Sequence, residues 1–210
     1  MSVAVWIAVG TAIFCALFAS RPRKGTPAEK KENPAIWCRT LEENEISRDL
    51  FWDFKRHQTG TRCWRKENGR WVIKDTPFTD DWSEEDYKVL IDCLKDTLEK
   101  GGLVYAAFVE GSLKGFVAVL PEIFGGEHRY MDLAAIHVSE DMRNQGIGTA
   151  LFQTAKKWAK EKGGRKLYIS AHSSVESQAF YKKMGCVEAK QYSQKHVDKE
   201  PTDCQLEVEL

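Results

Sequence analysis

The chain is 210 residues long, 42% hydrophobic and 30% charged, with 15 Gly and 6 Pro, which supports one good core and excludes wholesale disorder and collagen-like repetition. Its 31 basic and 31 acidic side chains cancel to a formal charge of zero, so there is no global pull toward nucleic acid or anionic lipid and any charge logic is local. The six cysteines are scattered, with no C-x-x-C pair and no His at ligand spacing, which points to a reduced compartment without a disulfide framework or a metal site.

The N-terminus departs from this average. Val3 to Ala19 has no charged residue, and Arg21, Arg23 and Lys24 follow at once. At a rise of about 1.5 Å per residue this run spans roughly 25 Å, slightly short of a hydrocarbon core near 30 Å. Residues 1–20 are therefore a candidate N-terminal membrane anchor through residues 3–19. The positive flank places everything after residue 20 in the cytoplasm and argues against a secretory signal. Residues 21–33 read as a basic, polar linker, and the folded domain spans 34–210.

Ala35 to Arg39 reads as a short strand, followed by a helix ending near His57 that carries Ile46, Leu50, Phe51 and Phe54 and is boxed by Thr40 and Glu43. Thr61 to Lys66 and Arg70 to Asp75 form a hairpin around Asn68-Gly69. Ser83 caps a helix whose first turn holds Glu84, Glu85 and Asp86, and Gly101-Gly102 ends it. Leu103 to Val109 and Leu113 to Leu120 read as an antiparallel pair, and Tyr130 to Val138 as one apolar strand. A helix runs from Gly146 to about Lys162, then come a strand at Lys166 to Ser170, a helix from Ser174 to Met184, and final strands at Cys186 to Tyr192 and Cys204 to Leu210. The order is that of a mixed α/β domain with a central sheet.

The stretch Ala134 to Thr149 carries the chemistry: a buried strand, a polar turn, then Arg-Asn-Gln-Gly-Ile-Gly opening a helix. Gly146 and Gly148 let the backbone approach a ligand, and the unpaired N–H groups of a first helical turn attract an anion. A nucleotide P-loop is excluded because no Lys follows Gly148, and a dinucleotide fingerprint because Leu151 stands where its third Gly belongs. From Asp141 to Lys183 nine Lys/Arg face three Asp/Glu, a balance that suits an anionic ligand.

In these features residues 34–210 resemble the GNAT superfamily of acetyl-CoA-dependent N-acyltransferases. The family signature Q/R-x-x-G-x-G/A is met by Arg143 to Gly148. A later helix similar to N-x-x-A-x-x-F-Y-x-x-x-G-F is met by Ser174, Ser177, Phe180, Tyr181, Gly185 and Cys186, with Ser174, Ser177 and Cys186 departing from the usual Asn, Ala and Phe. The resemblance implies a GNAT fold, a mixed sheet with helices on both faces, splayed between strands four and five. It implies acetyl-CoA as co-substrate, the pantetheine arm on the backbone of Ile136, His137 and Val138, and the pyrophosphate on N–H groups around Arg143, Gln145, Gly146, Ile147, Gly148 and Thr149, with Ser174 and Ser177 contributing. No metal is implied.

The same resemblance gives Tyr181 the role of acid for the departing thiolate. It gives Asp132, eleven positions before Arg143, the role of general base. His137 is the rival base, and strict strand alternation sets Asp132 and His137 on opposite faces. The expected activity is acetyl transfer from acetyl-CoA to a primary amine by direct attack in a ternary complex. The alternatives are an acyl-CoA-binding module without turnover and a protein lysine or N-terminal acetyltransferase.

Between Lys74 and Lys100 nine Asp/Glu stand against four Lys, and as an acidic wall they favour a small cationic acceptor of antibiotic or polyamine type, against the plainer reading of caps and a wet helix face. Trp52, Arg56, His57, Trp64 and Trp71 gather near the hairpin, where they can orient an acceptor. The expected assembly is a monomer or homodimer, cytoplasmic, with the N-terminal helix as its only membrane contact.

Overall fold

The computed structural model describes residues 35–210. The expectations for residues 1–33, anchor and linker, lie outside them. Among the described residues no helix is long and apolar enough to cross a membrane.

The chain runs β1 (Ile36–Thr40), β2 (His57–Glu67), β3 (Arg70–Asp81), α1 (Glu84–Glu99), β4 (Leu103–Val109), β5 (Ser112–Val119), β6 (Ile123–Phe124), β7 (Tyr130–Asp132), β8 (Ala135–Val138), α2 (Ile147–Glu161), β9 (Lys166–Ala171), α3 (Val175–Lys183), β10 (Val187–Glu188), α4 (Gln194–Lys199) and β11 (Cys204–Glu209). The strands form a four-stranded sheet, β1-β4-β5-β8, and a five-stranded one, β10-β11-β9-β7-β6. The short link between β7 and β8 joins the two into one mixed α/β core. Among the described residues only β7 and β9 pair in parallel. The β2–β3 hairpin stands apart as its own two-stranded sheet.

Helices cover both faces. On one side Leu103, Ala107, Val117 and Val119 pack with Ile147, Leu151, Phe152 and Ala155 of α2 and with Tyr181 of α3. On the other, Val104, Ala106, Phe116 and Ala118 pack with Tyr87, Leu90 and Leu94 of α1. The period of 2 in the strands and the helical spacing in α1 and α2 produce this sandwich directly. Ser83 caps α1 as its sequence suggests, with Asp86 closing the box.

Three local expectations are corrected. The helix expected between Thr40 and His57 is two single 3-10 turns, Glu43–Glu45 and Arg48–Phe51, and the first is boxed by Glu42 and Glu45. Asn44, Ser47, Asp49 and Asp53 favour turns over helix interiors, and the short turns still bury Ile46, Phe51 and Phe54. The hairpin is nearly twice as long as Asn68-Gly69 alone suggests, because β2 and β3 stay in register from Glu67–Arg70 back to His57–Asp81, with a bulge near Thr61. In the tail, the expected strand from Cys186 to Tyr192 shrinks to two residues and is followed by α4.

Candidate active site

The expected strand from Tyr130 to Val138 breaks. β7 pairs with β9 as far as Asp132↔Tyr168, and Leu133 N–H still donates to Tyr168 O at 2.9 Å. From Ala135 the chain pairs with β5 instead. Met131 and Leu133 belong to the α2-side cluster, and so do Ile136 and Val138. The extra residue at Ala134–Ala135 thus resets the alternation, as a bulge does. Asp132 and His137 consequently share the α1-facing side, which overturns the expectation that they lie on opposite faces; strict alternation does not survive the bulge.

The same break exposes an edge. Ser139 N–H donates to Lys114 O at 2.9 Å, and hydrogen-bonded pairs alternate along an antiparallel ladder. His137 and Ala135 therefore bond to β5, while the N–H and C=O groups of Ile136 and Val138 face away from it. Among the described residues no strand pairs with that edge of β8.

Immediately downstream the chain turns through Glu140–Met142, takes positive φ at Asn144 (63°) and Gly146 (87°), and enters α2. Gly146 caps the helix without a side chain. The backbone N–H groups of Asn144, Gln145, Gly146, Ile147, Gly148 and Thr149 have no hydrogen-bond partner among the described residues. Six consecutive free donors at a helix N-terminus form an anion cradle. A Cβ on Gly148 would lie 3.3 Å from Phe180 Cε2 and 3.5 Å from Val138 Cγ2, so cradle, free edge and α3 meet at one point. Within this group Ile147 is buried in the core, Thr149 is half-buried and Gln145 is exposed, while Arg143 Nη2 donates to His57 O at 2.6 Å.

Ser174 is fully buried as the N-cap of α3, accepting from Ser177 N–H at 3.2 Å and bonding Ser177 Oγ at 2.9 Å. The hairpin seals it: Trp64 N–H donates to Ser173 O at 2.7 Å, and Gln58 Nε2 reaches Ser174 Oγ at 3.3 Å. Two turns on from Ser174, Tyr181 is 9% exposed and packs between Phe152 and Phe180. Burial, reinforced by Cys186 and Asp203, raises its phenol above the usual range. Its hydroxyl makes no hydrogen bond among the described residues and is not one of the sealed polar atoms.

Across the sheet, Asp132 is 7% exposed. Its Oδ2 lies 2.7 Å from His196 Nε2, while Oδ1 is sealed and has no partner among the described residues. His196 comes from α4 and stacks on Tyr168. No spacing in the sequence ties residue 196 to residue 132; α4 itself was not expected. His137 stands edge-on to Trp82 at 4.7 Å. Burial first, then Arg56 and Arg143, hold its pKa down at about 3, so at neutral pH it is an uncharged wall.

The acids expected to form a cation-attracting wall are largely spent. Glu84 pairs with Arg48, Asp80 with Arg56, Asp81 with His57 and Asp96 with Lys100, and Asp86 caps α1. Asp75, Asp92 and Glu99 lie exposed on the surface. Of the hairpin aromatics, Trp52 is exposed, and Trp64 and Trp71 pack at the rim of the core.

Comparison with known proteins matches residues 68–186 to the model of the acetyltransferase (GNAT) family. No curated protein matches the chain significantly. Among solved structures, a nourseothricin acetyltransferase is 17% identical and aligns over 83% of this chain and 98% of its own, with a TM-score of 0.61. A candidate streptothricin acetyltransferase from Bacillus anthracis, in complex with acetyl coenzyme A, is 20% identical over 84% of this chain and 100% of its own, TM-score 0.61. An N-acetyltransferase from Thermoplasma acidophilum in complex with coenzyme A is 17% identical over 84% and 99%, TM-score 0.51. At these identities the likeness is one of fold.

Proposed function

The chain belongs to the GNAT family of acetyltransferases, and on that premise we propose that it moves the acetyl group of acetyl-CoA to the primary amine of a small molecule by direct attack. The observation that carries this reading is the run of six unpartnered N–H groups, Asn144 to Thr149, beside the free edge of β8. That donor set fits a pyrophosphate followed by an amide-bearing arm, which can pair with Ile136 and Val138 as an added strand would. The thioester would lie between β8 and β9, which are not hydrogen-bonded to each other.

Acetyl-CoA supplies the thioester whose carbonyl carbon the amine attacks. Asp132 and Tyr181 then stand on opposite faces of the sheet, on either side of that thioester. Asp132, held at Oδ2 by His196, would accept the proton lost by the amine as the C–N bond forms, once the side chains that seal Oδ1 give way to the acceptor. A free backbone N–H of the β8 edge takes the charge that develops on the carbonyl oxygen. Tyr181 gives its proton to the sulfur as the C–S bond breaks. An acid buried against Phe152 and Phe180 stays protonated at neutral pH, as this step requires. The free carboxylates that would favour a cationic acceptor are few, so the choice of amine rests on the residues facing Asp132 and His137.

The test is acetyl-CoA consumption by the full chain over a panel of polyamines, aminoglycosides, amino acids and lysine peptides. Turnover with a small amine and none with peptides supports the reading. Turnover confined to peptides replaces it with a protein acetyltransferase, and cofactor binding without any turnover replaces it with a binding module.

A further inference from the structure

Residues 53–57, which lead into the hairpin, are fastened to residues 139–143, which lead into the cradle. Lys55 N–H donates to Ser139 Oγ at 2.9 Å, Glu140 N–H donates to Lys55 O at 2.9 Å, and Arg143 Nη2 donates to His57 O at 2.6 Å. The buried Lys114 ammonium adds bonds to Asp53 Oδ2 at 2.8 Å and Asp141 Oδ2 at 2.9 Å. Arg56 sits in the middle of this staple, so its backbone is fixed relative to β8.

The Arg56 side chain is only 8% exposed. Nη2 donates to Asp80, and the guanidinium lies 5.1 Å from the Trp82 ring centroid. Both Nε and Nη1 are sealed from solvent and have no acceptor among the described residues. Such donors are expensive to leave unmet, and an arginine cannot escape by losing its proton. The charge is also unbalanced. Arg56 and Arg143 act on the same neighbour, His137, Asp80 answers one of them, and among the described residues Arg143 has no carboxylate partner. A cation would be repelled here, and a neutral carbonyl would meet the donors but not the charge.

We propose that Arg56 anchors the acceptor, its Nε and Nη1 donors receiving a carboxylate that the acceptor carries alongside its primary amine, so that the substrate class is an amino acid or a closely related amino carboxylate. This rests on the transferase reading above. Asp132 and His137 mark the two ends of one surface, floored between them by the small side chains Ala134 and Ala135, which lie on the α1 side. Trp82, half-buried in the link between β3 and α1, covers both Arg56 and His137, so a carboxylate reaching the Arg56 donors would have to displace it.

The test compares each L-amino acid with its carboxamide, which keeps the amine and loses the carboxylate, in wild type, Arg56→Gln and Arg56→Lys. The wild type is expected to prefer the acid by about a hundredfold in kcat/KM, because a site with charged donors rejects the partner that leaves them unmet. Arg56→Gln should remove that preference through KM for the acid, leave acetyl-CoA affinity within about threefold, and Arg56→Lys should restore part of it. Equal use of acid and amide by the wild type overturns the proposal. So does an equal loss for both in Arg56→Gln, which would make Arg56 structural, and so does weakened acetyl-CoA binding, which would give its donors to the cofactor. If no amine is turned over, the transferase reading fails, and the carboxylate site is then decided by titrating the Arg56 Nε–H resonance, assigned through Arg56→Lys, with propionate and with propionamide. A shift with propionate alone supports the site, and no shift refutes it.

Discussion

Replacing Tyr181 by Phe removes a single oxygen, and the structure separates what that does to stability from what it does to chemistry. The ring packs edge-to-face with Phe152 at 6.3 Å and with Phe180 at 5.2 Å between centroids, and a phenyl keeps both contacts. The hydroxyl has no hydrogen bond to lose among the described residues, so the stability change should stay within about 0.5 kcal/mol, below the ~1 kcal/mol of a typical buried bond. Turnover should respond differently. A positioned general acid contributes about 10²- to 10⁴-fold, which is ~2.7 to 5.4 kcal/mol of barrier at about 1.36 kcal/mol per tenfold. Because burial raises the phenol's pKa, the loss should be uniform across neutral pH and not confined to one limb. The assay is single-turnover release of the thiol, with acetyl-CoA affinity by titration and a thermal melt as controls. A rate within twofold of wild type, with chemistry shown to limit it, refutes the role of Tyr181.

The remaining predictions probe other parts of the account. Gly146→Val places a β-branched residue at φ 87°, where its Cβ meets nothing within 4 Å, so the left-handed backbone should cost about 1–2 kcal/mol while acetyl-CoA affinity falls more than about tenfold; calorimetry and a melt separate the two. Asp132→Asn should lower turnover about a hundredfold in single-turnover assays while leaving acetyl-CoA affinity as it was; His196→Asn should lower kcat less and leave acetyl-CoA KM unchanged. Lys114→Met removes the ion partner of Asp53 and leaves Asp141 with Ser139 and Lys55, and because the two carboxylates' side chains are 33% and 31% exposed the cost should be about 2 kcal/mol in urea melts, below the ~3–5 of a fully buried pair. His137 gives a signed pH effect. Its folded pKa of about 3 lies below the unfolded value near 6.5, so its contribution to stability is complete above pH 6.5 and is lost as pH falls toward 3, and His137→Gln should flatten that part of the acid unfolding curve.

Much of the fold was legible because it depends on local pattern. Ser83 with Glu84 to Asp86, the stripe Tyr87, Leu90, Leu94, and Gly146 before Ile147 each state a boundary that the structure keeps. The glycine-led start of α2 was legible for the same reason, since glycines and a helix start are written within six residues. What escaped depends on contacts distant in sequence. The bulge at Ala134–Ala135 arises because the chain changes partner from β9 to β5, and no residue there announces it; its consequence, Asp132 and His137 on one face, could not be read from parity. His196 reaches Asp132 across 64 positions, from a helix that only the tail's packing reveals. Acidic residues between Lys74 and Lys100 looked like a surface for a cation because their partners, Arg48, Arg56 and His57, lie in earlier segments.

The central claim is that the six free amides of Asn144 to Thr149, with the edge of β8, hold the cofactor. Backbone amide hydrogen exchange with and without coenzyme A tests it directly, since donors lacking any partner exchange freely until a ligand supplies one. Addition of coenzyme A is expected to slow exchange at 144–149 and at Ile136 and Val138 while leaving the paired amides of His137 and Ala135 as they were. Saturating coenzyme A without protection at 144–149, or with protection centred elsewhere, contradicts the account.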